Sequence, residues 1–140
     1  MNDASTKENL YENLQNYVES QVWGKKVKLL MMEERSGIIW SRLAGARYSS
    51  GDVLLFLDCH IEAGYNYLPP LIDPIVDDFR SVVIPTIDVI DKHTYEIRQL
   101  GIGRTVFDWN FHPQRIPIKN DTINRDLLFK TPVMYGAAFA

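Results

Sequence analysis

The sequence predicts an α/β domain built on a mostly parallel sheet, and three observations predict it. The run Gly51-Asp52-Val53-Leu54-Leu55-Phe56-Leu57-Asp58 is continuously apolar through its middle instead of alternating, the pattern of a strand buried on both faces. A helix-period stretch and a short apolar strand candidate, Val27–Met32, precede it. Together they form a strand-helix-strand unit, for which a parallel, right-handed crossover is expected. A further apolar stretch, Ser81–Asp91, follows a second helix-length segment.

Taken in order, Ser5 and Glu8 have the spacing of a capping box. They would open a helix whose apolar face is Leu10, Leu14, Tyr17 and Val18. Trp23-Gly24-Lys25-Lys26 reads as the turn after it, and Val27–Met32 as the first strand. Gly37–Ser50 reads as a helix with Ile38, Ile39, Leu43 and Ala46 on one side, and Gly51-Asp52 turns the chain into the apolar run. Tyr67–Phe79 reads as a helix with Pro69-Pro70 near its start, where proline is tolerated. Within Ser81–Asp91, Pro85 removes a ladder donor and predicts an edge or a bulge. From Lys92 to Lys130 the rhythm is mixed, and Tyr135–Ala140 is apolar, with no helix stop or polar tail, as at a cut.

With 140 residues the chain is at most one domain, long enough to bury a core. The net charge of −3 gives no general basic surface, so nucleic acid is not an expected partner. No apolar stretch approaches the roughly 20 residues of a membrane span. The polar start Met1–Ser5 does not read as a secretory signal. Cys59 is the only cysteine, so no internal disulfide is expected.

The chemistry concentrates at Asp58-Cys59-His60. In open α/β sheets, ligands bind beyond the carboxyl ends of the strands, which is where this triplet leaves the sheet. Residues two apart in extended backbone share a side, so one carboxylate and one imidazole are placed to share a divalent cation such as manganese. The pair has a plainer reading too: Asp58 caps the next turn and His60 is solvated. Cys59 reads as the spacer of the motif, because no base of established role lies beside it to make it a nucleophile. His93 and His112 read as solvated or structural. Asp88 and Asp91 read as strand-end caps ahead of an acid-base pair. Phe107, Trp109 and Phe111 suit a peptide groove or core packing under a loop. Arg42 suits a phosphate contact or a surface salt bridge.

Several stretches, in order and near the expected spacing, resemble the polypeptide N-acetylgalactosaminyltransferases. They are Asn2–Ser5, Glu34–Ala46, Gly51–Glu62, Pro85–Asp91, Phe107–Asn110 and Thr131–Gly136, and together they cover essentially the whole chain. The resemblance implies a GT-A nucleotide-diphospho-sugar transferase fold, a Rossmann-like, mostly parallel sheet with flanking helices. It implies transfer of GalNAc from UDP-GalNAc to Ser or Thr of protein acceptors, with retention and with Mn2+, in the lumen of the Golgi apparatus. By the same resemblance Asp58 and His60 are metal ligands, Asp3 contacts the uridine, Arg35 and Gly37 lie along the nucleotide, and Gly136 approaches the donor sugar. No residue of the chain is assigned as catalytic.

The resemblance also implies what this stretch leaves out. Residues 1–140 correspond to a partial catalytic domain without the first nucleotide-binding strand, the later part that carries a third metal histidine, the lectin domain or the membrane anchor. Tyr135 stands where alanine is usual, Ala137 where glycine is, Ile61 and Ala63 where cysteines are, Tyr67 where tryptophan is, and Asn2 where an acid is. These departures keep a second expectation alongside the first: a non-catalytic remnant with at most a binding role.

Overall fold

The computed structural model describes residues 1–7, 10–118 and 128–140. They form two compact units, Met1–Leu54 and Leu55–Ala140.

In the first unit, helix α1 spans Leu10–Ser20 and a short 3₁₀ turn spans Gly24–Lys26. Of the expected apolar face of α1 only Val18 is buried. The expected capping box is not testable, since Glu8 lies outside the described residues. Ser5 instead donates its N–H to Asn2 Oδ1 at 2.9 Å. The strand expected over Val27–Met32 reduces to one parallel bridge, Asn2 to Met31. There the Asn2 N–H donates to Leu30 O at 2.7 Å and the Met32 N–H to Asn2 O at 2.9 Å. Helix α2 spans Ile38–Tyr48, inside the expected range. Its buried residue is Ser41, while Ile38 and Ile39 are exposed. At 100° per residue, Ile38, Ile39 and Trp40 point three different ways, so no single apolar stripe exists to bury.

In the second unit, strand β1 is Phe56–Leu57, helix α3 Pro69–Asp77, and strands β2 and β3 are Val89–Ile90 and Ile97–Arg98. Strands β4, β5 and β6 follow at Gly103–Phe107, Pro113–Pro117 and Ala138–Phe139. The long parallel strand expected at 51–58 is corrected here. Only two of its residues form a strand, and its partner is β6, antiparallel, with Phe56 opposite Phe139 and Leu57 opposite Ala138. The Phe56 and Phe139 rings stack at 4.7 Å. On the other edge of β6, Val83 and Ala140 exchange N–H···O bonds, both 2.9 Å. The apolar end of the chain therefore sits between the two runs, and among the described residues of this unit the buried apolar ones are Leu71, Val83 and Ala138.

The strand expected over 81–91 divides at Pro85. Val83 bonds to Ala140, while β2 pairs with β3 in a hairpin. A residue without an N–H marks the break, as the ladder chemistry requires. The mixed stretch after Asp91 resolves into that hairpin and a second one, β4 with β5, in register from Gly103–Pro117 to Phe107–Pro113. Gly103 faces the β5 backbone so closely that a Cβ would lie 2.9 Å from Ile116 O. Both hairpin turns are tied by an aspartate. Asp91 Oδ1 accepts the N–H groups of His93 (2.8 Å) and Thr94 (3.1 Å). Asp108 Oδ1 accepts those of Asn110 (2.8 Å) and His112 (2.9 Å). These bonds, led by His93 for Asp91 and His112 for Asp108, hold both carboxyls below their usual range.

Candidate functional site

The predicted site residues fall in two places, one per unit. In the first, the bridged Asn2 delivers Asp3 to the loop that precedes α2. Asp3 Oδ1 accepts the Ser36 N–H at 2.7 Å, and Oδ2 accepts the Gly37 N–H at 2.8 Å. Gly37 is the N-cap of α2, with φ 83° and ψ 168° and no side-chain cap of its own. The Ser41 N–H donates to Gly37 O at 3.0 Å to begin the helix. An anion at a helix start also meets the positive end of the helix dipole. The Ser36 N–H bond, followed by the Gly37 bond and the Arg35 charge, outweighs partial desolvation and keeps the Asp3 carboxyl below its usual range. Arg35 is exposed, immediately before the bonded pair. Asp3, Arg35 and Gly37 are thus brought together.

In the second place, the chain leaves β1 at Asp58, whose N–H donates to Ala137 O at 2.9 Å. Asp58 is half-buried, and Cys59 and His60 form an exposed turn after it. Cys59 Sγ lies 3.9 Å from His60 Nδ1. Across the same strand pair, Gly136 and Ala137 form the turn that leads into β6. Asp58, His60 and Gly136 therefore belong to one corner of the fold. A carboxylate oxygen and an imidazole nitrogen at a strand end are a donor set that fits a divalent cation such as Mn2+. Among the described residues no group of three or more His, Cys, Asp or Glu side chains gathers as a complete cage.

Beside that corner lies a cavity of about 720 Å³ lined by Leu71, Val83, Pro85, Thr105, Tyr135 and Ala137 among others. Tyr135 and Ala137 line it, and Gly136 between them does not. The segment is anchored by a residue that sequence reasoning missed. Thr131 Oγ1 accepts the N–H of the buried Thr105 at 3.1 Å, and lies 3.1 Å from both Thr105 O and Val133 O. Its one proton serves either carbonyl. The only signal was its place in the Thr131–Gly136 stretch.

Other candidates resolve individually. Asp88 accepts the Leu100 N–H at 3.1 Å and Asp91 caps its hairpin, so both act as strand-end acceptors. The aromatics of the β4–β5 turn are not core. Trp109 is fully exposed, and Phe107 and Phe111 are mostly exposed with rings 6.4 Å apart. His112 Nδ1 lies 3.5 Å from Asp108 Oδ2.

The model of the family described as Glycosyl transferase family 2 matches residues 1–140. The chain is 44% identical to the putative polypeptide N-acetylgalactosaminyltransferase 10 of Caenorhabditis briggsae, with all of this chain and 23% of that protein aligned. It is 39% identical to N-acetylgalactosaminyltransferase 6 of Drosophila melanogaster, covering 21% of it. It is 38% identical to human polypeptide N-acetylgalactosaminyltransferase 10, covering 23%. The chain thus spans less than a quarter of the length of these relatives. Among solved structures, the crystal structure of GalNAc-T7 with UDP, GalNAc and Mn2+ superposes with a TM-score of 0.84 at 35% identity, over 98% of this chain and 27% of that one.

Proposed function

Because the chain belongs to glycosyl transferase family 2, we propose that its protein is a polypeptide N-acetylgalactosaminyltransferase, which moves GalNAc from UDP-GalNAc to Ser or Thr of proteins. The fold is the GT-A fold of the GalNAc-T7 structure, of which this chain forms a part. The observation that carries the activity is the corner where β1 ends. Asp58-Cys59-His60 and Gly136-Ala137 are joined there by the Asp58 N–H bond to Ala137 O.

On this reading Asp58 Oδ and a His60 ring nitrogen would hold Mn2+. A bound divalent cation acts as a Lewis acid for the diphosphate that leaves with the electrons of the sugar–oxygen bond. The Asp58 backbone bond fixes where the strand ends and so where the carboxylate begins. Arg35, exposed on its turn, supplies positive charge for the nucleotide. Gly136, with no side chain, permits close approach of backbone to the sugar. With retention, the acceptor oxygen would bond to the anomeric carbon on the face from which the diphosphate departs, and the hydroxyl proton would pass to the departing phosphate. The same reading places the protein in the Golgi lumen, behind a membrane anchor carried elsewhere in the protein. No helix among the described residues is long and apolar enough to cross a membrane.

The test is calorimetric titration of the full-length protein with UDP, with and without Mn2+, followed by transfer of labelled GalNAc to a Ser/Thr peptide. Mn2+-dependent binding and transfer, both lost in Asp58→Asn, support the proposal. A folded protein that binds UDP but transfers nothing favours the non-catalytic reading, with Tyr135 and Ala137 in the sugar segment as the first suspects. A folded protein that binds no UDP refutes the transferase reading and leaves the non-catalytic one. Immunofluorescence against a Golgi marker tests the location.

A further inference from the structure

We propose that the turn at 22–28 docks on an anionic lipid membrane, with Val22 and Trp23 entering the headgroup layer and Lys25, Lys26 and Lys28 meeting its charge. This docking is independent of the nucleotide reading above.

The sequence concentrates two chemistries here. No acid stands between Glu19 and Glu33, yet Lys25, Lys26 and Lys28 fall together in that interval. In a chain of net charge −3 they make a local basic patch, and among the described residues none of the three is in an ion pair. All three are exposed, and so is the apolar surface beside them. Val22 is fully exposed, with Trp23 44% and Val27 41% exposed, a cluster that water disfavours.

The turn is built, not loose. The Gly24 N–H donates to Gln21 O at 3.0 Å, the Lys26 N–H to Trp23 O at 2.9 Å and the Val27 N–H to Gly24 O at 3.0 Å. Gly24 packs so closely on the end of α1 that a Cβ would collide with Val18 O. The Trp23 ring meets the Tyr17 ring edge-on, with centroids 6.2 Å apart, and both stay partly exposed. A fixed turn thus holds an indole and a valine beside three cations. Tryptophan and tyrosine suit the boundary between membrane and water, having an apolar body and a polar tip. A lysine stem lies along apolar surface while its ammonium group reaches a phosphate. A soluble polyanion would satisfy the lysines but would offer the valine and the indole no apolar layer, so the set favours a lipid surface. Each lysine near such a surface strengthens binding roughly fivefold.

The test is acylation of lysines by a water-soluble active ester, read residue by residue by mass spectrometry on the full-length protein. Vesicles of phosphatidylcholine are compared with vesicles that also carry phosphatidylserine. Lys25, Lys26 and Lys28 should react freely without lipid, be shielded by the phosphatidylserine vesicles and stay reactive with phosphatidylcholine alone. Lys26→Glu takes two positive charges from the turn, so the lipid needed to half-shield Lys25 and Lys28 should rise roughly 25-fold. Trp23→Ser keeps the charge and should also raise it. Both side chains are exposed, so neither change is expected to disturb folding. Shielding before lipid is added means that another part of the protein covers the turn, and it overturns the proposal. Shielding by neither vesicle, or equally by both, does the same. If heparin shields the lysines as well as phosphatidylserine does, and Trp23→Ser leaves both unchanged, the patch reads charge alone and the lipid proposal is overturned.

Discussion

Replacing Thr131 with valine removes one hydroxyl and leaves the side-chain shape almost unchanged. In the native protein that oxygen accepts the Thr105 N–H at 3.1 Å and lies 3.1 Å from the carbonyls of Thr105 and Val133. Thr105 is 4% exposed, so after the change its N–H finds no water in place of the lost acceptor. An orphaned buried donor costs about 1–3 kcal/mol. With a urea m-value of about 2 kcal/mol per M, the midpoint falls by roughly 0.5–1.5 M. Thr131→Ser, which keeps the hydroxyl, should recover most of the loss. Equilibrium urea unfolding measures the shift, and hydrogen exchange at the Thr105 amide locates it. A midpoint that moves by less than about 0.2 M, or a serine variant that loses as much as valine, would refute the anchoring argument. Thr131 starts the segment whose Ala137 carbonyl accepts the Asp58 N–H. Under the proposed function the valine variant therefore also weakens Mn2+-dependent UDP binding, while the serine variant does not.

Three further outcomes follow from single positions. Gly37→Ala meets open space but a backbone conformation that alanine avoids, so it should cost about 1–3 kcal/mol, read by thermal unfolding. Gly103→Ala puts a Cβ 2.8 Å from Arg115 Cγ and 2.9 Å from Ile116 O. The arginine can swing away but the β5 carbonyl cannot, so the hairpin shifts at about 1–3 kcal/mol, read the same way. The third is a pH dependence. The Asp108 carboxyl is depressed in the folded state, so its contribution to the β4–β5 turn is present above its unfolded value and is lost as pH falls through the folded one. Hydrogen exchange at Asn110 and His112, corrected for intrinsic rates, should show the turn loosening below the ordinary aspartate value of about 3.9. Asp108→Asn should flatten that dependence, and an unchanged profile in this variant would count against the assignment.

The parts of the fold that were legible in the sequence are those whose physics is local. The continuous apolar run located the strand end and placed Asp58 and His60 beyond it, although Leu54 and Leu57 are exposed and the strand is not buried on both faces. Pro85 announced the break in the next run, because a missing N–H acts at its own position. Asp91 read as a cap, because its amides are two and three residues away. What was not legible depends on partners far along the chain. Antiparallel β6 is two residues long and pairs with β1 from about eighty positions away, too short to show a period. The Asp3 bonds to Ser36 and Gly37 join residues 33 and 34 apart, and no spacing rule covers a carboxylate and two amides at that separation. The helix at 38–48 was predicted from the spacing of its apolar residues, but its buried face was misassigned, because those residues surround it.

The distinction between side-chain and main-chain contacts also bears on Tyr135 and Ala137, where the resemblance expects alanine and glycine. The bond that sets Asp58 uses the carbonyl of residue 137, which every amino acid supplies. An alanine there leaves that bond intact. Ala137 and Tyr135 instead line the 720 Å³ cavity, while Gly136, between them, is not among its lining residues. The two departures thus change what fills the space beside the metal-motif corner without loosening the corner. If they alter the chemistry, they should do so by selecting a different sugar or excluding one, with Mn2+-dependent UDP binding preserved. Restoring Tyr135→Ala with Ala137→Gly should then change sugar-nucleotide preference and leave the UDP dissociation constant within about twofold, since a main-chain bond is indifferent to either side chain.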